Sequence, residues 1–176
     1  MKNLTKLSIA FLMVLGCGLS AQAQTGDPVE AEATATATII TPLTLTKTGD
    51  MNFGNITATA AGGTVELSPG AVRTANGVQL PATTGTVTAA AFDVSGAGDY
   101  AYIVTLPTTH TITETVGGTA EMTVDTFTSS LTNEEGTLDG TGADSFTVGA
   151  TLSVGADQAA GEYTNATGFT VSVNYQ

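Results

Sequence analysis

Residues 169–175 read Phe-Thr-Val-Ser-Val-Asn-Tyr, and apolar and polar side chains alternate strictly along this stretch. Successive side chains of an extended strand point to opposite faces, so a period of two predicts a strand with one buried and one solvent-exposed face. The apolar side chains are Phe169, Val171, Val173 and Tyr175. The end of the chain is therefore predicted to be a β-strand.

The same period recurs between residues 29 and 39. Six apolar side chains fall on one face of this segment: Val29, Ala31, Ala33, Ala35, Ala37 and Ile39. Glutamate and threonine occupy the other face, which predicts an extended conformation.

Further strands are predicted at residues 40–47, 63–67, 85–95, 101–106, 109–115, 121–130, 145–154 and 168–175. Glycine-rich turns separate these segments, and no apolar stripe follows the helical period of 3.6 residues. Many short strands joined by tight turns are typical of all-β proteins. We predict one Ig-like or pilin-like antiparallel β-sandwich over residues 36–176, preceded by an extended N-terminal arm over residues 24–35.

The first 23 residues have the features of a signal peptide. Lys2 and Lys6 precede an apolar stretch over residues 7–15, and Ala21-Gln22-Ala23 is a small-x-small cleavage pattern. The apolar stretch is too short to span a bilayer. A second interpretation is a lipoprotein signal, in which Cys17 becomes the lipidated first residue. Both interpretations predict export, to the extracellular surface of a bacterium.

Cleavage after Ala23 would leave a strongly acidic chain. Lys47 and Arg73 would be its only basic residues against sixteen acidic ones, a formal charge of −14. Such a surface repels nucleic acid, so we exclude that partner class. Cys17 is the only cysteine, so the mature chain would hold no disulfide.

Residues able to do chemistry are few. His110 is the only histidine, and the adjacent Glu134 and Glu135 do not suggest a pair of catalytic carboxylates. We therefore predict that the protein is not an enzyme and needs no cofactor. Asp139 and Asp144 flank a glycine-rich turn and are weak candidates for calcium ligands, and a plain acidic turn is the favoured interpretation.

Several motifs resemble those of a secreted bacterial family, the domain of unknown function 4402. They are Pro42-Leu43-Thr44-Leu45, Met51-Asn52-Phe53-Gly54-Asn55-Ile56, Gly63-Thr64-Val65-Glu66-Leu67, Ala91-Phe92-Asp93-Val94-Ser95-Gly96, the stretch from Tyr102 to Pro107, Ala160-Gly161-Glu162-Tyr163 and the closing strand. The resemblance covers residues 33–176. It implies a sandwich of the pilus and spore-coat type without catalytic residues.

The closing strand is also similar to the last strand of chaperone–usher pilins. In both, apolar residues alternate, an aromatic residue is next to last and glycine lies upstream, here at Gly161 and Gly168. This resemblance implies self-association into a filament and a periplasmic chaperone as a possible partner. Many such pilins hold a disulfide, which this chain would lack after cleavage.

The functional prediction is a structural subunit of an extracellular fibre, assembled by β-strand addition. The donated face would be Val29, Ala31, Ala33 and Ala35, and the closing strand with Phe169, Val171, Val173 and Tyr175 would take part in assembly. The arm could instead be the domain's own first strand.

A monomeric, surface-exposed or lipid-anchored module that binds glycan is the alternative function. The aromatic side chains that could bind glycan are the four tyrosines, Tyr100, Tyr102, Tyr163 and Tyr175. Of these, Tyr102 and Tyr175 are predicted to lie in the core.

Overall fold

A computed structural model describes Gly26 and residues 29–176. The predicted signal peptide, its cleavage after Ala23 and the lipidation of Cys17 all lie outside these residues. The chain divides into a segment that ends at Thr38 and a compact unit, Ile39–Gln176.

The compact unit is built from eleven strands. They are β1 (Thr44–Gly49), β2 (Gly63–Leu67), β3 (Arg73–Asn76), β4 (Ala90–Ser95), β5 (Ala101–Thr105), β6 (Thr109–Glu114), β7 (Glu121–Ser129), β8 (Glu135–Thr137), β9 (Ala143–Val154), β10 (Tyr163–Thr164) and β11 (Ser172–Tyr175). One short 3₁₀ turn, Thr132–Glu134, precedes β8. In the described part of the chain, no helix has the length and apolar character needed to cross a bilayer.

All strand pairs are antiparallel and form two sheets. The larger sheet has the order β1-β4-β9-β7-β6-β10, with β2 also paired to β9 and β3 to β2. The smaller sheet has the order β11-β5-β8. The two sheets make a sandwich-like fold, which confirms the predicted fold class.

Strand β9 organises the larger sheet. Its first half pairs with β4, where Val148 lies opposite Ala90, and its second half pairs with β2, where Ala150 lies opposite Leu67. Its other edge pairs with β7. A bulge interrupts β7 between Asp125 and Thr128, and Thr126 within it has a φ of 50°.

The core consists of two apolar clusters, and β9 contributes to both. The first contains Phe53, Val65, Leu67, Val78, Val124, Ala150, Leu152 and Val154. The second contains Ala90, Phe92, Val94, Tyr102, Val104, Leu138, Phe146 and Val148. Because alternate β9 side chains from Phe146 to Val154 point inward, one strand anchors both clusters.

Tyr102 is the largest fully buried side chain. Its hydroxyl donates to Oδ2 of Asp144 at 2.8 Å. Gly136 lies directly opposite Tyr102 in the pairing of β5 with β8, and a Cβ on that glycine would collide with the tyrosine ring. The ring therefore occupies the space that a side chain on β8 would need.

Several predicted strands are wrong in extent. The segment 40–47 is a strand only from Thr44, and that strand continues to Gly49. The segment 85–95 is a strand only from Ala90, because Gly85 has a φ of 65° and Thr88 instead exchanges backbone hydrogen bonds with Asn52 at 2.8 and 3.0 Å. The segment 168–175 is a strand only from Ser172. Residues 29–38 are assigned to no strand, although their alternating pattern predicted an extended one.

Replacement of Gly136 by alanine tests the packing of Tyr102. We expect Gly136→Ala to lower the free energy of unfolding by about 2 kcal/mol or more, because the new methyl group overpacks the ring. In a domain of this size that is a fall in Tm of roughly 4–8 °C, measurable by calorimetry. Gly140→Ala is the matched control, since the nearest atom to its Cβ would be Asp99 Oδ1 at 3.9 Å. Equal Tm values for both variants would contradict this account.

The burial of Tyr102 also predicts a loss of stability in alkali. Burial, together with the hydrogen bond to Asp144 and the negative charge of that residue, holds the pKa of Tyr102 well above its usual value. The neutral phenol is thus favoured in the folded state, and stability is intact below the unfolded pKa of about 10. Above it, denaturant titrations should show the free energy of unfolding falling by up to about 1.4 kcal/mol per pH unit.

Tyr102→Phe should be less stable at neutral pH, because Asp144 loses a hydrogen-bond donor, but its stability should fall less steeply above pH 10 than that of the parent. Parallel pH profiles for the two proteins would show that Tyr102 is not the titrating group.

Candidate assembly site

An open cleft lies between β1 and the chain that leads into β11, wholly within the compact unit. It has a volume of about 490 Å³. Two buried residues of β4, Ala90 and Phe92, form its floor. Its walls are formed by Leu45 and Lys47 on one side and Phe169 and Val171 on the other. We call this feature the edge cleft.

Strand β1, which lines the edge cleft, is a sheet edge, and so is β11, which begins directly after the lining residue Val171. Among the described strands, β1 pairs only with β4, and β11 pairs only with β5. Each edge therefore leaves backbone N–H and C=O groups without a strand partner. Such an edge is a template for pairing with another strand.

The closing residues point inward, as their alternation predicts. Phe169, Val171, Val173 and Tyr175 are all half-buried and pack against the second core cluster. The ring of Phe169 lies 5.0 Å from that of Phe127, between ring centroids. Two of the four residues, Phe169 and Val171, line the edge cleft.

Tyr175 ties the two edges together. Its hydroxyl donates to the carbonyl oxygen of Thr41 at 2.8 Å and accepts from the N–H of Ala97 at 2.6 Å. The chain just before β1 is thereby joined to the end of β11. The edge cleft lies farther along, where β1 continues from Leu45 to Gly49.

The segment that would donate a strand is exposed. Residues 29–38 are assigned neither strand nor helix, and each of their side chains is exposed, Val29 fully. The exposed residues include all four of the predicted donor face, Val29, Ala31, Ala33 and Ala35. The first strand of the domain begins only at Thr44, so the structure does not make these residues the domain's own first strand.

Of the two calcium candidates, Asp139 lies in the turn before β9 and Asp144 is the second residue of β9; each accepts hydrogen bonds within the chain. Asp139 Oδ1 accepts from the Thr141 hydroxyl at 2.6 Å and from the N–H groups of Thr141 and Ala143 at 2.8 and 3.0 Å. These hydrogen bonds, led by that of the Thr141 hydroxyl, lower the pKa of Asp139. Asp144 accepts from Tyr102. Within Gly26 and residues 29–176, no group of three His, Cys, Asp or Glu side chains is arranged to hold a metal ion.

The remaining candidate side chains are scattered. His110 packs against Phe169 with ring centroids 6.0 Å apart, and Glu134 ends the 3₁₀ turn before β8. Of the four tyrosines only Tyr100 is exposed, because Tyr102 is buried and Tyr163 and Tyr175 are half-buried. The hydroxyl of Tyr163 donates to Ala159 O at 2.7 Å.

Arg73 lies beside a second concavity of about 420 Å³. Its Nη1 donates to the carbonyl oxygens of Phe53 and Asn55 at 2.6 and 2.9 Å. The guanidinium thus holds the loop between β1 and β2 against β3. This role of Arg73 has no sign in the sequence, because the loop carbonyls reach it only in the folded chain.

Residues 43–175 match the family described as a domain of unknown function, DUF4402. The chain belongs to the DUF4402 family. Comparison with curated proteins and with solved structures finds no match. The DUF4402 match begins one residue before β1 and ends on the last residue of β11. It therefore includes both edges of the cleft, whereas residues 29–38 precede it.

Removal of the Tyr175 hydroxyl is predicted to lower the stability of the folded chain measurably. Tyr175→Phe leaves the Thr41 carbonyl and the Ala97 N–H without this partner, and we expect the free energy of unfolding to fall by about 1–2 kcal/mol in denaturant titrations. Tyr100→Phe is the control, because the two rings stack edge to face at 5.7 Å and the exposed Tyr100 can lose its hydroxyl to solvent without consequence. A Tyr175→Phe chain as stable as the parent would contradict the tie between the two edges.

Proposed function

We propose that this DUF4402 protein is a structural subunit of an extracellular, pilus-like filament, assembled by β-strand addition. The observation that supports it best is the edge cleft, which exposes apolar side chains beside β1, an edge strand with no second partner among the described strands. No enzymatic or cofactor chemistry is required, because strand addition uses the backbone groups that every peptide carries.

An added strand would make two kinds of contact in the cleft. Its backbone would pair with the free edge of β1, of β11 or of both, and its inward side chains would cover Phe92 and Phe169. The main-chain hydrogen bonds supply affinity, and the fit of alternate side chains supplies specificity. Contacts of this kind need an extended partner with one apolar face.

We propose that the partner is the N-terminal arm of a second copy. Its residues 29–35 are exposed, and their period of two gives one face of alanine and valine and one of glutamate and threonine. Each alanine methyl buried contributes only about 0.8 kcal/mol, so the contact depends on the length of the paired segment. Residues 24–35 are the proposed donor, and Val29, Ala31, Ala33 and Ala35 are the inserted side chains.

The setting of this proposal is outside the cell. The signal pattern of residues 1–23 supports secretion, with a lipid anchor on Cys17 as the alternative, and the acidic composition suits a soluble surface protein. Apolar side chains left exposed in the cleft before assembly would be a hazard for aggregation. A periplasmic chaperone that covers it is therefore part of the proposal, in keeping with the resemblance of the last strand to that of chaperone–usher pilins.

Replacement of Ala33 by aspartate tests the donor arm. Among the residues that the structure describes, the only basic side chain that lines the edge cleft is Lys47, and it is already paired with Asp50. The buried carboxylate would therefore lack a free partner, which costs at least about 3 kcal/mol and weakens assembly more than a hundredfold. We expect Ala33→Asp to give a folded monomer where the parent forms filaments, as seen by light scattering after size exclusion and by negative-stain electron microscopy.

Thr34→Asp is the matched control, because it adds the same charge to the face that would remain in solvent. It should form filaments like the parent. Strand donation by the arm is wrong if Ala33→Asp still polymerises as well as Thr34→Asp, and an unfolded Ala33→Asp chain would mean that this segment is needed inside the subunit.

A further inference from the structure

Lys47 lies on the core face of the larger sheet, although it is charged. In the pairing of β1 with β4 it stands directly opposite Phe92, and Phe92 stands opposite Phe146 in β9. Residues directly opposite in an antiparallel sheet share one face. Phe92 and Phe146 are both buried and their rings stack 5.3 Å apart, so the face that Lys47 shares with them is the apolar one.

The Lys47 side chain nevertheless remains 57% exposed, because it lines the open edge cleft. Its ammonium group forms an ion pair with Asp50, which is itself 81% exposed. The side chain thus lines the cleft while its charge stays in contact with solvent, as long basic side chains commonly arrange themselves.

A charged side chain that points inward from an edge strand is a recognised defence against unwanted strand pairing. A strand with large apolar side chains that docked on β1 would displace the Lys47 stem, separate its ammonium group from Asp50 and bury that group without a partner. Burial of an unpaired charge is costly, so such a strand is rejected. Specificity that arises from a penalty on wrong partners does not require a tight contact with the right one.

We infer that Lys47 makes the edge cleft selective, so that it binds only a strand with small side chains at the positions that face Lys47. The arm of a second copy meets this requirement, since its inward positions after Val29 are Ala31, Ala33 and Ala35. An alanine methyl leaves room for the Lys47 stem, and the ammonium group keeps both its solvent and Asp50. This inference rests on the proposed function, because it assumes that the arm enters this cleft.

The selectivity can be measured with two labelled peptides. One carries residues 26–38, and the other is the same sequence with valine at positions 31, 33 and 35. The acceptors are the Ala33→Asp chain, whose own arm cannot enter a neighbour, and the double variant Ala33→Asp, Lys47→Val. Fluorescence anisotropy should show that the first acceptor binds the alanine peptide more tightly than the valine peptide, and that Lys47→Val removes or reverses this preference.

Two further acceptors test whether the inward charge of Lys47 causes the preference for the alanine peptide. Lys47→Arg in the same background should keep the preference, because it retains an inward charge on a long stem. Thr46→Val adds the same β-branched residue to the opposite face of β1 and should also keep it. Loss of the preference in the Thr46→Val chain would attribute the effect to strand propensity and overturn the inference.

The remaining outcomes distinguish the inference from the function on which it rests. Equal binding of both peptides to the chain that retains Lys47 would contradict the selectivity assigned to Lys47 but leave strand addition intact. Binding of neither peptide to any acceptor would show that the arm does not bind in the cleft. The selectivity assigned to Lys47 would then fail as well.

Discussion

The fold depends on one constraint, which is that the side chains of β9 must pack into both apolar clusters. Its twelve residues are long enough to pair with β4 and then with β2 along the same edge, while β7 covers the other edge. Phe146 and Val148 pack into one apolar cluster, and Ala150, Leu152 and Val154 pack into the other. Gly149, between the two groups, lets the backbone of Leu67 and Ser68 approach closely. A shift of one residue in β9 would turn all five inward side chains to solvent.

The period of two predicted the all-β fold and most of the long strands, because those segments each have a complete apolar face. Strand β2 was predicted to the residue, and β9 was predicted from Ser145 instead of Ala143. Strands β3, β8 and β10 were missed, since they have only two to four residues and form because a neighbour offers a free edge. At residues 85–89 the glycine turn and the pairing with Asn52 outweighed the local pattern.

The candidate site could be predicted only in its parts. Alternation along 169–175 is a local property, and the inward side of that segment follows from it. The edge cleft is a tertiary feature, because β1 and the chain at Phe169 lie more than a hundred residues apart and meet only when both sheets have formed. The inward direction of Lys47 depends on the register that places it opposite Phe92. The residues around Lys47 do not determine this register. A lysine next to threonines would ordinarily be assigned to the solvent face.

The hydroxyl of Tyr175 has a mechanical consequence. Tension along the chain from the N-terminal side reaches the domain at Ile39 and then meets Thr41, where this hydroxyl is bonded. Beyond that point β1 runs antiparallel to β4 over pairs from Thr44 to Gly49, and a pull along the strand axis loads these hydrogen bonds together. Because β11 continues into the smaller sheet through its pairing with β5, Tyr175 passes part of the force to that sheet. Both layers of the sandwich thus share a shear load that β1 would otherwise carry alone.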